Sequence, residues 1–116
     1  MDESALIAKM DEARARWVDL PGGKRVQFRR PLETDMGSFV GGVSVEHVCA
    51  HVCGWQGFTE ADLLGAGIGA SDAVKFTPAL WSRVVRDRIA YVQPVAAAIA
   101  QAIQEHLANM EAVAKN

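Results

Sequence analysis

Residues 94–114, PVAAAIAQAIQEHLANMEAVA, predict the longest helix of the chain and so favour a mainly helical fold. Alanine has the highest intrinsic helix propensity, and its small side chain permits close approach of a neighbouring helix. Pro94 is expected to break or kink the path at the start of this helix. Larger side chains recur at helical spacing and form one stripe, which consists of Val95, Ile99, Ile103, His106, Met110 and Val113.

Side-chain caps place three shorter helices before this stretch. Ser44 and Thr59 are typical N-cap residues, and Thr77 precedes Pro78, a residue that favours the first helical position. The predicted helices cover residues 44–54, 59–64 and 78–92. The side chains expected to face inward in the last of these helices are Leu80, Val84 and Ile89, with Trp81 and Val85 alongside.

The N-terminal part of the chain predicts one further helix and a β-hairpin. Residues 17–30 favour a hairpin, because the PGG turn that begins at Pro21 is followed by alternating polar and apolar residues. Residues 32–39 form either a helical turn or a linker. The predicted fold is therefore mainly α (α+β), with four or five helices and a small N-terminal β-hairpin. The first helix is expected over residues 2–17, where one face carries Leu6, Met10, Ala13 and Trp17.

Size and composition limit the classes of protein that the chain can be. Its 116 residues predict one domain over residues 1–116 and are too few for a doubly wound sheet or a barrel enzyme. The net charge of −2 gives no general attraction to nucleic acid or to an anionic membrane. The longest uncharged stretch, residues 89–104, is shorter than the roughly 20 residues of a spanning helix. Two cysteines and an acidic, non-hydrophobic N-terminus favour a cytoplasmic protein.

Four potential zinc ligands lie within seven residues, namely His47, Cys49, His51 and Cys53. A helix over residues 44–54 would place the two histidines on one face and the two cysteines on the other, so one tetrahedral ion could not bind all four. We expect the cysteines to pack as small hydrophobic residues and the histidines to face solvent. The alternative is a two-ligand site that His106 or a second chain completes. No metal and no cofactor are predicted.

The glycine-rich segment GAGIGASDA, residues 65–73, has only a faint similarity to a phosphate-binding loop. Such a loop follows a buried strand and opens a long helix, whereas this segment follows a short predicted helix and contains no Gly-Lys-Ser/Thr. We interpret it as a surface loop. The sequence also contains neither a nucleophile elbow nor a paired acid–base motif, so an enzyme is not predicted and no catalytic residues are assigned.

Basic residues cluster on the predicted hairpin, at Lys24, Arg25, Arg29 and Arg30. One interpretation is an exposed hairpin face whose charges pair with carboxylates of the first helix. The alternative is a nucleic-acid interface, although no helix-turn-helix and no aromatic platform accompany the cluster.

The predicted helices carry more apolar surface than so short a chain needs for one core. The aromatic residues near the middle of the sequence either fill the core or line a groove for a partner helix. The C-terminal stripe from Val95 to Val113 is the element expected to mediate self-association or client contact. The candidate partner-binding residues are Trp55, Phe58, Trp81, Val95, Ile99, Ile103 and Met110.

The order of motifs adds a family resemblance that covers residues 20–109. A hairpin segment LPGGKRVQFRRP (20–31) precedes VCGWQGFTEADL (52–63), and DAVKFTPALWSRVVRD (72–87) precedes the alanine-rich helix. This order resembles the small tail assembly chaperones of long-tailed bacteriophages and prophages. The resemblance implies a non-enzymatic protein that forms homo-oligomers in the cytoplasm of the bacterial host. It implies binding to the apolar, helical tape-measure protein until tail subunits polymerise around it.

Two alternatives remain open at this point. One is a structural protein of the virion, such as a tail-completion or head–tail connector protein. The other is a small nucleic-acid-binding regulator that uses the basic residues between Lys24 and Arg30.

Overall fold

A computed structural model describes residues 1–65 and 67–115. Ala66, within the predicted glycine-rich loop, and Asn116, at the end of the predicted domain, lie outside the described residues. The described part confirms the predicted fold class, a mainly helical α+β protein with five α-helices. The elements in chain order are α1 (Glu3–Ala13), β1 (Ala15–Leu20), β2 (Lys24–Arg29), a 3-10 helix (Glu33–Phe39), α2 (Val45–His51), β3 (Val52–Gln56), α3 (Glu60–Leu64), α4 (Pro78–Asp87), a second 3-10 helix (Ile89–Tyr91) and α5 (Val92–Lys115).

The predicted hairpin is present and forms two strands of a three-stranded antiparallel sheet, in the order β1-β2-β3. The turn between β1 and β2 places Gly22 and Gly23 at φ of 84° and 75°, a region that glycine adopts without a steric penalty. In the middle of the hairpin, Val18 lies opposite Val26. The inner face of the sheet is apolar, and it forms one wall of the core.

The third strand is a correction to the predicted helix over residues 44–54. That helix ends at His51, and Val52–Gln56 continues as β3 beside β2, with Trp55 opposite Val26. Valine and tryptophan favour strands, whereas Gly54 is unfavourable inside a helix. The sequence pattern fits both a helix and a strand here. The free edge of β2 decides between them, because pairing with it satisfies the backbone of β3.

The first helix is also shorter than the predicted residues 2–17. It ends at Ala13, and Trp17 belongs to β1 instead of sharing a face with Leu6 and Met10. Pairing with β2 begins at Ala15, so the backbone cannot remain helical beyond that point. The Trp17 ring instead lies under the guanidinium of Arg25, 4.1 Å from its centroid. None of the residues of α1 is buried.

The core lies between the inner face of the sheet and helices α2, α4 and α5. At its centre Trp81 is fully buried and donates a hydrogen bond from Nε1 to the carbonyl oxygen of Val48, at 3.1 Å. The Trp55 ring stacks on Phe58 with 4.2 Å between centroids. The remaining wall is the first half of α5, where the buried residues are Val95, Ile99 and Ala102.

Ile89 is a further correction, because it is 85% exposed and not inward-facing. The predicted helix 78–92 ends at Asp87, and Arg88 takes an extended φ of −134° that interrupts the helical period. Residues after this break are therefore rotated relative to α4. Tyr91 occupies the inward position and is buried.

The predicted N-caps all form. Ser44, Thr59 and Thr77 each accept a backbone hydrogen bond from the residue three positions later. Pro94 does not break the last helix, which begins two residues earlier, at Val92. A proline is tolerated there because the first backbone N–H groups of a helix have no intrahelical acceptor. Across the described ranges, no helix combines the length and the apolar character needed to cross a bilayer.

Candidate partner-binding surface

The seven predicted partner-binding residues lie in three different environments. Five of them are buried in the core and present no free surface in this conformation; they are Trp55, Phe58, Trp81, Val95 and Ile99. Ile103 packs against the edge of the core and is half-buried. Met110 is 41% exposed and lies further along α5. The structure therefore leaves only Ile103 and Met110 of the seven predicted partner-binding residues at least partly exposed.

The outer part of α5 extends past the core, and we call residues 106–114 the α5 overhang. The 24 residues of α5 give a helix about 36 Å long, but the last buried residue is Ala102. Beyond it the same apolar stripe continues in solvent, with Val113 74% exposed and Leu107 also exposed. A depression of about 420 Å³ follows this stripe and is lined by His106, Asn109, Met110, Val113 and Ala114.

Two polar contacts fix the start of the α5 overhang on the body. The Nε2 atom of His106 lies 2.8 Å from Oε2 of Glu33, which belongs to the first 3-10 helix. The guanidinium of Arg16, on β1, lies 2.6 Å from the carboxylate of Glu105. Hydrogen bonds from Arg16 and Gln101 lower the pKa of Glu105, so this carboxylate stays ionised. These contacts set the direction in which the overhang leaves the core.

A second apolar surface lies along α1, where Leu6, Ile7 and Met10 are exposed. A groove of about 520 Å³ separates part of this helix from Leu32 on the body. The remaining residues that line the groove are Asp11, Ala13, Arg14 and Arg30. The sequence pattern predicted the apolar face of α1, but it did not predict that the described part of the chain leaves this face exposed.

The basic residues of the hairpin do not form one patch. Lys24 pairs with Asp62 of α3, with 3.1 Å between Nζ and Oδ1, and not with a carboxylate of the first helix. Arg25 donates to the side-chain oxygen of Gln56, while Arg30 donates to the carbonyl of Pro31. Because β2 separates Arg25 from Arg29 by about 13 Å at 3.3 Å per residue, the cluster divides into two small groups at opposite ends of one strand.

The four potential zinc ligands are divided between two elements, with His47, Cys49 and His51 on α2 and Cys53 on β3. Cys53 lies in β3, with its Sγ 3.8 Å from the side-chain oxygen of Gln27. Burial raises the pKa of its thiol, so the thiolate form is disfavoured. His47 stacks on Phe39 at 3.8 Å between centroids and accepts a hydrogen bond from the backbone N–H of Ser44. Among the described residues, no group of three or more His, Cys, Asp and Glu side chains is arranged to hold a metal ion.

His51 makes the stability of the fold dependent on pH. Burial, together with the charge of His47, lowers the pKa of His51 below its ordinary value of 6.5, although Asp35 opposes this shift. The unfolded chain therefore binds a proton at a higher pH than the folded chain.

We expect the free energy of unfolding to fall as the pH decreases from 6.5 towards the folded pKa of His51, and His51 to contribute no slope above that range. Urea unfolding at a series of pH values should show a shallower decrease for His51→Gln than for the original chain. Equal slopes for the two proteins would contradict this assignment.

Comparison with known proteins adds no assignment: no protein family, curated protein or solved structure matches the chain.

Proposed function

We propose that the chain is a tail assembly chaperone of a long-tailed phage or prophage, and that its α5 overhang binds the tape-measure protein during tail assembly. The observation that carries the proposal is the continuity of the α5 stripe. The side chains that pack in the core at Val95 and Ile99 are followed, on the same face, by Met110 and Val113 in solvent. The exposed half is thus an apolar helix face that no other part of residues 1–65 and 67–115 covers.

The chemistry of this face suits an amphipathic helical client. Helix-in-groove recognition uses apolar anchors at spacings of three and four residues, and the exposed side chains of Leu107, Met110 and Val113 follow one another at every third residue. A tape-measure chain before assembly has apolar stripes that lack a permanent partner, so covering them suppresses aggregation.

The apolar surface of the α5 overhang is small enough that a bound client can dissociate. A fully buried Leu, Met or Val side chain contributes about 1.5–3 kcal/mol, and the loss of translational and side-chain freedom offsets much of that gain. Glu111 is the one carboxylate of the overhang, and Lys115, the next residue after the overhang, pairs with it at 3.1 Å. We therefore expect moderate affinity, which allows polymerising tail subunits to displace the chaperone.

Co-expression with a tape-measure segment tests the proposal. We expect a soluble complex that co-purifies through a tag on either component, whereas the segment alone should precipitate. A matched negative control is a helical peptide of equal length with charged residues in place of its apolar stripe. Failure of the two proteins to associate, with the segment equally insoluble in the presence of the chain, would contradict the proposed function.

Analysis of purified phage particles separates this function from that of a virion component. An assembly chaperone should be released when the tail polymerises, so particles should contain none of the chain at the stoichiometry of a structural subunit. Its recovery in particles at a fixed copy number would favour the tail-completion or connector alternative and would contradict a transient role.

A further inference from the structure

Helix α1 lacks the packing that normally stabilises a helix of its length. It has 11 residues, and none of them is buried. Isolated helices shorter than about 12–15 residues are marginal in water, and most helical stability in proteins comes from packing of an apolar face. The exposed side chains of Leu6, Ile7 and Met10 supply such a face. Contact with another molecule would therefore stabilise α1 directly.

The charges at the two ends of this face are opposite. By helical periodicity Glu3 lies at the N-terminal end of the apolar stripe, and Arg30 lines the groove beside the C-terminal end. None of the ion pairs formed within residues 1–65 and 67–115 includes either residue. Burial and the positive charge of Arg14 lower the pKa of Arg30, although Glu33 opposes this shift, so its environment favours a further carboxylate. We call Glu3, Leu6, Ile7, Met10 and Arg30 the α1 face.

We propose that the α1 face binds the α1 face of a second copy of this chain, with the two α1 helices antiparallel about a twofold axis. In this arrangement Glu3 lies beside the partner's Arg30, and Leu6 lies opposite the partner's Met10. A parallel pair would instead bring the two Glu3 carboxylates together. The antiparallel pair also aligns the two helix dipoles favourably, and the groove of about 520 Å³ beside Leu32 has room for apolar side chains of the partner.

The geometry predicts a weak dimer. Two 11-residue helices bury less than the roughly 1,600 Å² of a standard interface, so we expect a dissociation constant in about the micromolar range. The interface uses none of the residues of the α5 overhang. Self-association and client binding therefore depend on different side chains, and each can fail without the other.

Sedimentation equilibrium of charge-reversed variants tests this inference. We expect Glu3→Arg and Arg30→Glu each to raise the dimer dissociation constant at least about tenfold, because each places like charges together twice in a symmetric dimer. The double variant Glu3→Arg with Arg30→Glu should recover most of the affinity of the original chain. Glu12→Arg is the matched control, since Glu12 lies on the opposite side of α1 by helical periodicity.

Thermal unfolding of the variants shows whether a loss of dimerisation results from misfolding. Glu3 is exposed, so Glu3→Arg should keep the thermal unfolding midpoint of the body, and Leu6→Glu should also prevent dimerisation while leaving the body folded. Sedimentation equilibrium that shows only monomer of the original chain, even at concentrations well above micromolar, would overturn the proposal. So would single reversals without effect, or a double variant that stays as weak as the single ones. Loss of tape-measure binding on Glu3→Arg, with no change in self-association, would assign the α1 face to the client instead.

Discussion

Trp81→Ala is expected to lower the free energy of unfolding by about 3–5 kcal/mol, the range for a large aromatic residue removed from a core. Trp81 is fully buried, and its Nε1 hydrogen bonds to the carbonyl of Val48 near the end of α2. Helix-end carbonyls lack intrahelical donors, so the substitution also leaves that oxygen unsatisfied. Because small domains have only about 5–15 kcal/mol of stability, much of the population should unfold at moderate temperature.

Urea unfolding followed by circular dichroism measures this effect, with Trp17→Ala as the matched control. Trp17 is 40% exposed and contacts Arg25 through its ring face, and a cation–π contact at an exposed site contributes about 0.5–1 kcal/mol. We expect the control to lose clearly less stability than Trp81→Ala, because Trp17 is 40% exposed whereas Trp81 is fully buried. A Trp81→Ala protein as stable as the Trp17→Ala protein would show that Trp81 is not the centre of the core.

Met110→Glu combined with Val113→Glu is expected to weaken binding of a tape-measure segment at least about a hundredfold. Each apolar side chain contributes about 1.5–3 kcal/mol when buried, a factor of ten in affinity corresponds to 1.4 kcal/mol, and a carboxylate in an apolar contact adds a desolvation cost. Both positions are exposed in the free protein. The free energy of unfolding should therefore change little.

Titration of a labelled tape-measure segment against both proteins provides the measurement. Val40→Glu is the matched control, because Val40 is an aliphatic residue that is 88% exposed and lies outside the α5 overhang. We expect the control to bind the segment with unchanged affinity. Equal weakening by Val40→Glu would indicate a nonspecific charge effect, and unchanged binding by the double variant would remove the α5 overhang from the client-binding surface.

Local signals predicted the parts of the fold that depend on neighbouring residues. The N-caps at Ser44, Thr59 and Thr77 form because each side-chain oxygen needs only the backbone three residues later. The hairpin likewise depends on a local turn and on alternation. These interactions need no information from distant parts of the chain.

Other parts of the fold depend on long-range contacts that periodicity does not contain. Val52–Gln56 forms a strand because the edge of β2 is open to it, and Trp17 leaves the first helix because Ala15 pairs with Arg29. Ile89 turns outward after the break at Arg88. In each case a strand edge or a chain reversal overrides a valid helical pattern.

The candidate partner-binding surface likewise has one feature that the local sequence predicts and one that depends on long-range contacts. The stripe on α5 was predictable from spacing alone, but the point at which it leaves the core was not. Ile99 is buried and Met110 is exposed because the body ends near Ala102, where β1 and the first 3-10 helix contact α5 through Arg16 and Glu33. The sequence pattern cannot locate that end, since it depends on how the hairpin packs against α5.

Amide hydrogen exchange, measured on the chain with and without a bound tape-measure segment, tests whether the last turns of α5 hold an apolar helix of another protein. We expect fast exchange in residues 106–114 of the free protein, because an uncovered helix end opens locally. In the complex, these amides should be strongly protected. Protection confined to the sheet or absent from α5 in a saturated complex would contradict this expectation.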